Sequence, residues 1–195
     1  MVYHKRFRQR FLPGILFPLL LGAACTNDNV EPGTTPYQNT EPQYVLANVE
    51  RAFNAGDLVL LEACLADDFA FYFDPGDVGK TVNGYEIPGR WTREEFRLVI
   101  ANLVERTFSR SLHCGWRSVG RPDPGRNTYF VAKVLLRLVV QENEHHEWAL
   151  DQASCNYEFA STAGRWHLRR WEDVTRCSGC IVEKSLGEVL AEYHP

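Results

Sequence analysis

Asp151 is the side chain of this sequence best suited to acid–base chemistry. It sits in EWALDQASCNYEF, with Ala149 and Ala153 two residues to either side. In an extended strand those three share a face with Cys155, Tyr157 and Phe159. A carboxylate among such neighbours loses hydration. Its pKa then rises, which suits a general acid or base. Trp148 and Leu150 hold the opposite parity, so a bulge would reverse the assignment. Tyr72, between Phe71 and Phe73, offers a phenol. Asp74, Trp171 and Asp173 fall at strand ends, where a pocket would have its mouth. The competing reading is structural: a buried acid that merely accepts a hydrogen bond does no chemistry.

Other motifs carry less. FAFYFDPGDVGKTVNG (69–84) contains Gly79-Lys80-Thr81, the end of a phosphate loop. That loop needs a glycine where this chain has Asp74, and a helix directly after the Lys-Thr pair. VNGYEIPG follows instead, so nucleotide binding is not expected. Cys177-Ser-Gly-Cys180 reads as a local disulfide or two free thiols; without a second CxxC or a suitably spaced His pair it is not a zinc site. His145-His146 lies beside a turn. No Ser-His-Asp or Cys-His arrangement stands out, and neither metal nor cofactor is expected.

The elements that would position these groups follow from periodicity. Val45, Val49, Ala52 and Phe53 make one helical face over 44–55, which Gly56 stops. Asp57 caps a short helix from Leu58 to Leu65. Phe69, Phe71 and Phe73 alternate along a first strand. A Gly/Pro/Asp-rich loop spans 74–90. Thr92 with Glu95 forms a capping box for a third helix that buries Phe96, Val99, Ile100 and Leu103. Four strands are expected at 109–119, 128–141, 146–160 and 165–173, joined by turns as an antiparallel meander, with a last helix near 185–192. Helices first and a curled sheet after them is an α+β plan. Alternation turns Phe130, Ala132, Val134, Leu136, Leu138 and Val140 inward with Leu112, Cys114 and Trp116. The outer face then carries His113, Arg117, Lys133, Arg137, Gln152 and Arg169. Cys114 and Cys155 lie on strands separated by a third, about 9.6 Å apart, and should remain free thiols.

The N-terminus supplies an address. Lys5, Arg6, Arg8 and Arg10 precede the apolar stretch FLPGILFPLLLGAA, a secretory signal over residues 1–24 that is too short to span a bilayer comfortably. LLLGAAC resembles the lipobox of bacterial lipoproteins, with Gly22 where a leucine is usual and Cys25 as the acylated residue. Two or more acyl chains on Cys25 would hold the protein on a lipid bilayer. Thr26 in place of Asp favours the outer membrane, facing periplasm or surface. Residues 25–43 read as a disordered tether and 44–195 as one domain. Of 21 basic and 25 acidic residues, four basic ones leave with the signal, giving about −8 and arguing against a nucleic-acid partner.

VERAFNAGDLVLLEACLADDFAFYF (49–73) and GRWHLRRWED (164–173) resemble the opening and closing segments of the nuclear-transport-factor-2-like superfamily, which includes the SnoaL-like polyketide cyclases. With FYFDP and NGYEIP, the stretch 41–195 looks most like uncharacterised envelope lipoproteins of that superfamily. The resemblance implies a cone: a curved antiparallel sheet wrapped around three N-terminal helices. Its isomerases keep an acid and a tyrosine inside the cone, which would pair Asp151 with Tyr72. Two functions are therefore expected to compete. One is a tethered domain binding a small apolar or amphipathic molecule or a protein partner. The other is an isomerase- or dehydratase-type enzyme. An open cavity of about 300 Å³ or more holding the Asp151 carboxylate would favour the enzyme; a cone filled by Trp and Phe would leave a scaffold or partner binding. A homodimer through the outer face would be polar.

Overall fold

The computed structural model describes residues 35–116, 126–175 and 183–195. The signal peptide, Cys25, Arg117, Cys177 and Cys180 lie outside them. Among the described residues no helix is long and apolar enough to cross a membrane.

The chain runs α1 (Pro42–Ala55), α2 (Leu58–Cys64), β1 (Leu65–Tyr72), β2 (Thr81–Val82), β3 (Tyr85–Glu86), β4 (Arg90–Thr92), α3 (Arg93–Arg106), β5 (Ser109–Cys114), β6 (Thr128–Asn143), β7 (His146–Thr162), β8 (Arg165–Asp173) and α4 (Leu186–Ala191). Local chemistry sets the helix ends. Gly56 closes α1 at φ 71°, a left-handed conformation that costs glycine little. The Asp57 carboxylate accepts from the Leu60 amide and opens α2. Capping boxes start α3 (Thr92 with Glu95) and α4 (Ser185 with Glu188).

Six strands form one sheet in the order β4-β1-β8-β7-β6-β5, and β2-β3 is a separate hairpin within the 74–90 loop. The long pairs β5–β6–β7–β8 are antiparallel, as the turns between them require. The sheet as a whole is mixed, not antiparallel: β1 lies parallel to β8, with β4 antiparallel on its outer edge. β1 and β8 are nearly a hundred residues apart, so no hairpin constrains their direction.

Bulges correct the expected alternation. On β6, Val131 faces Tyr157 and Val134 faces Cys155, so Ala132–Lys133 holds one extra residue. Lys133 adopts φ 55°, and its amide donates to the Asn156 side chain. Val134 to Val140 point inward as expected. Ahead of the bulge, Val131 is buried while Phe130 and Ala132 are exposed. Phe69, Phe71, Phe73, Trp91, Phe96 and Trp171 pack together between sheet and helices. Phe71 alone has ring neighbours in Phe73, Trp91, Phe96 and Trp171, at centroid distances of 5.2, 5.6, 5.7 and 6.0 Å.

Residues 37–39, expected within a disordered tether over 25–43, are bonded to the domain. Asn48 on α1, buried, accepts from the Tyr37 amide (3.0 Å) and donates to the Tyr37 carbonyl (2.8 Å) and the Asn39 side chain (2.8 Å). The Asn39 carbonyl accepts from the Trp166 amide at the start of β8 (2.7 Å). One buried amide thus draws residues 37–39 into the domain.

Candidate functional site

Asp151 points away from the cone. Its side chain is 71% exposed and meets Arg137 Nε at 3.0 Å on the outer face. Register explains the correction: Leu136 pairs with Ala153 but Leu138 pairs with Leu150, which leaves one extra residue on β7 at 151–152. Ala153, Cys155, Tyr157 and Phe159 face inward as expected; on the far side of the bulge the parity flips, and Trp148 and Leu150 take the inner positions.

Tyr72 is likewise outside the cone. Phe71 and Phe73 take the buried positions on either side, and the Arg170 guanidinium lies 4.0 Å from the Tyr72 ring centroid. Tyr72 pairs with Glu172 on β8, which pairs with Asn156 on β7. Asp151 is five residues further along that strand, so the two groups expected to pair are roughly 16 Å apart in the strand direction alone. Asp151 does border a half-open cleft with Trp148, Leu150, Thr175 and Lys184, but its volume is about 130 Å³. Lys184 Nζ covers the Trp148 ring at 3.6 Å and forms an ion pair with Glu192.

The three strand-end candidates meet different fates. Trp171 is core, with its ring 5.5 Å from Tyr157 and 5.8 Å from Phe96. Asp173 is fully buried. Its Oδ2 accepts from the Gly187 amide at 2.7 Å, and its Oδ1 from the Thr175 amide at 2.9 Å and the Thr175 hydroxyl. Burial pushes its pKa up to about 6 against those donors, and the nearby Asp74 carboxylate adds to the rise. Asp74, also buried, accepts from the Gly76 amide at 2.9 Å. Asp173 therefore has a perturbed pKa of the kind that marks functional acids, but its oxygens hold a chain turn and the first residues of α4 in place.

Two groupings escaped sequence reasoning. Lys80 of the GKT motif reaches Asp77 Oδ1 at 2.6 Å and Glu188 Oε1 at 3.0 Å, tying the 74–90 loop to α4. The misfit with a phosphate loop was the available signal that this lysine had other work. Inside the cone, the Tyr157 hydroxyl donates to Cys114 Sγ at 3.8 Å. Burial raises the Tyr157 phenol and the Cys155 thiol well above their usual values and pushes the Cys114 thiol up to about 12. These thiols are neutral packing groups, not nucleophiles. Cys64, Cys114 and Cys155 are free and buried. Among the described residues no group of three or more His, Cys, Asp or Glu is arranged to hold a metal.

No protein-family model matches the sequence, and neither does any curated protein. Solved structures do match. A Novosphingobium aromaticivorans protein with the provisional name aromatic ring hydroxylase aligns at TM-score 0.54 and 11% identity, over 72% of this chain and 90% of its own. A second protein of that organism, provisionally named scytalone dehydratase, aligns at 0.53 and 12%, over 73% and 87%. A Kribbella flavida protein aligns at 0.55 and 12%, over 79% and 96%. At such identities the likeness is one of fold. Together with helices α1–α3, a curved sheet and an aromatic interior, it gives this chain the cone of the nuclear-transport-factor-2-like fold.

Proposed function

We propose that this chain is a lipoprotein of the bacterial cell envelope, acylated at Cys25, whose cone-shaped domain binds a small apolar or amphipathic molecule or a protein partner and does not catalyse a reaction. The observation that weighs against catalysis inside the cone is its aromatic packing around Phe71, Trp91, Phe96 and Trp171, which leaves a protein partner, or a ligand held outside the cone, as the binding it supports. The alternative is an isomerase- or dehydratase-type enzyme using Asp151 with Tyr72, and it draws on the name of one structural neighbour. The outward, separated positions of those two residues weigh against it. Anchoring rests on the sequence: the basic start, the apolar core and LLLGAAC.

The anchor is tested by expressing the full chain and its Cys25→Ser variant in a Gram-negative host with labelled palmitate. The parent should take up label and sediment with outer membranes; the variant should do neither. A labelled variant would sink the proposal. Native mass spectrometry of the detergent-solubilised protein tests the binding half, as a co-purified molecule, a protein partner or a homodimer through the outer sheet face. An empty monomer counts against it.

A further inference from the structure

We propose that the groove between residues 37–40, α2 and the start of β8 is a binding site for a small organic carboxylate with a compact apolar body. This deepens the binding reading and rests on it, but locates the ligand outside the cone. The groove has a volume of about 280 Å³, twice that of the cleft beside Asp151, and is half open. That is the lower edge of small-molecule pockets and suits a ligand of about ten heavy atoms. Leu60, Ala63 and Cys64 line one side with apolar groups, and the opposite side, residues 37–40, is polar apart from the Tyr37 ring. The Cys64 thiol lies beside the Asn39 side chain, and burial pushes its pKa up to about 12, so it stays neutral.

Charge selects the anion. Arg165 and His167 line the groove from alternate positions of β8, about 7 Å apart along the strand. The neighbouring arginines of the sheet are committed: Arg137 to Asp151, Arg169 to Asp68 and Glu158, Arg170 to Glu172. Arg165 and His167 have no such acidic partner among the described residues. The acid that acts on Cys64 is Asp57, whose carboxylate is engaged as the cap of α2. Two nitrogen donors without an acidic partner among the described residues, beside the side chains of Leu60 and Ala63, match a carboxylate on a hydrocarbon body. The groove's other wall is fixed in place, because Asn48 and the Trp166 amide hold residues 37–39.

The test is equilibrium dialysis of radiolabelled phenylacetate against the full-length chain in non-ionic detergent, with micelles alone as blank. Saturable binding is expected, at least tenfold tighter than that of the neutral phenylacetamide. The double variant Arg165→Gln/His167→Gln should lose at least tenfold in affinity while keeping the parent's circular dichroism and thermal midpoint; Arg137→Gln should bind as the parent does. Absence of saturable phenylacetate binding overturns the proposal, as does equal affinity for the amide or an unaffected double variant. If dialysis fails while native mass spectrometry finds a bound molecule, this groove is wrong and the wider binding reading survives.

Discussion

Asp173 is a carboxyl group sealed away from water. Its folded pKa of about 6 lies above the ordinary 3.8, so its contribution to stability is fully present below pH 3.8 and is lost as pH rises through 6. The shift of about two units corresponds to roughly 3 kcal/mol. Relative to Asp173→Asn, the parent should therefore gain up to about 3 kcal/mol between pH 7 and pH 4 in urea unfolding, and parallel curves would refute the burial argument. Gly187 makes a second prediction at the same spot. A Cβ there would stand 2.5 Å from Phe73 Cδ1 and 3.3 Å from Asp173 Oδ2. Phe73 is wedged edge-on against Trp91 at 4.5 Å and cannot yield. Gly187→Ala should cost about 1–3 kcal/mol, read as a lowered urea midpoint at unchanged slope. Asp151→Ala should change stability by less than about 0.5 kcal/mol, since its pair with Arg137 is solvent-exposed. At this scale legibility was uneven. Asp74, Trp171 and Asp173 were expected at the mouth of a pocket, but all three are buried, Trp171 in the aromatic core and the two carboxylates in local hydrogen bonds. Asp151 was ambiguous: Trp148 and Leu150 on the opposite parity hinted at a bulge, but Ala149, Asp151 and Ala153 fitted an unbroken strand equally well, and one extra residue reverses every side chain beyond it.

Elements were legible where local chemistry decides them. Thr92 with Glu95, the Gly56 stop and the Asp57 cap each satisfy amides or carbonyls within a few residues, so their signals are contiguous. The parallel pairing of β1 with β8 was not, because direction across a gap of nearly a hundred residues depends on the whole sheet. The hairpin β2–β3 and the edge strand β4 were hidden for another reason: two- and three-residue strands have no period to detect. Lys80 ties this loop to α4. Lys80→Met would remove the cation shared by Asp77, which is buried, and Glu188. The lysine itself is 40% exposed, so the expected loss is about 1–2 kcal/mol rather than that of a sealed pair. Hydrogen exchange should quicken in residues 186–191 and 77–87 while β6 and β7 stay protected. Uniform acceleration across the sheet would show that the lysine does not act locally.

For the domain as a whole, the packed aromatic interior is the main source of stability. Phe71→Ala would delete the ring that touches Phe73, Trp91, Phe96 and Trp171. A loss of about 3–5 kcal/mol is expected, with a dry void that benzene should fill and partly re-stabilise in thermal melts. Failure of benzene to raise the midpoint would mean that the walls collapse into the void. Such a filled cone was foreseen as one of two outcomes, since composition counts the aromatic residues but does not say whether they meet. The attachment of residues 37–39 has a mechanical consequence. A pull arriving from the N-terminal side of the chain reaches Tyr37 first, where three hydrogen bonds to one α1 side chain and one to the Trp166 amide carry it. Those bonds load one after another, as in a zipper, and should yield at low force. The strands β6 and β7 would remain whole while the released segment opened one side of the groove beside Arg165.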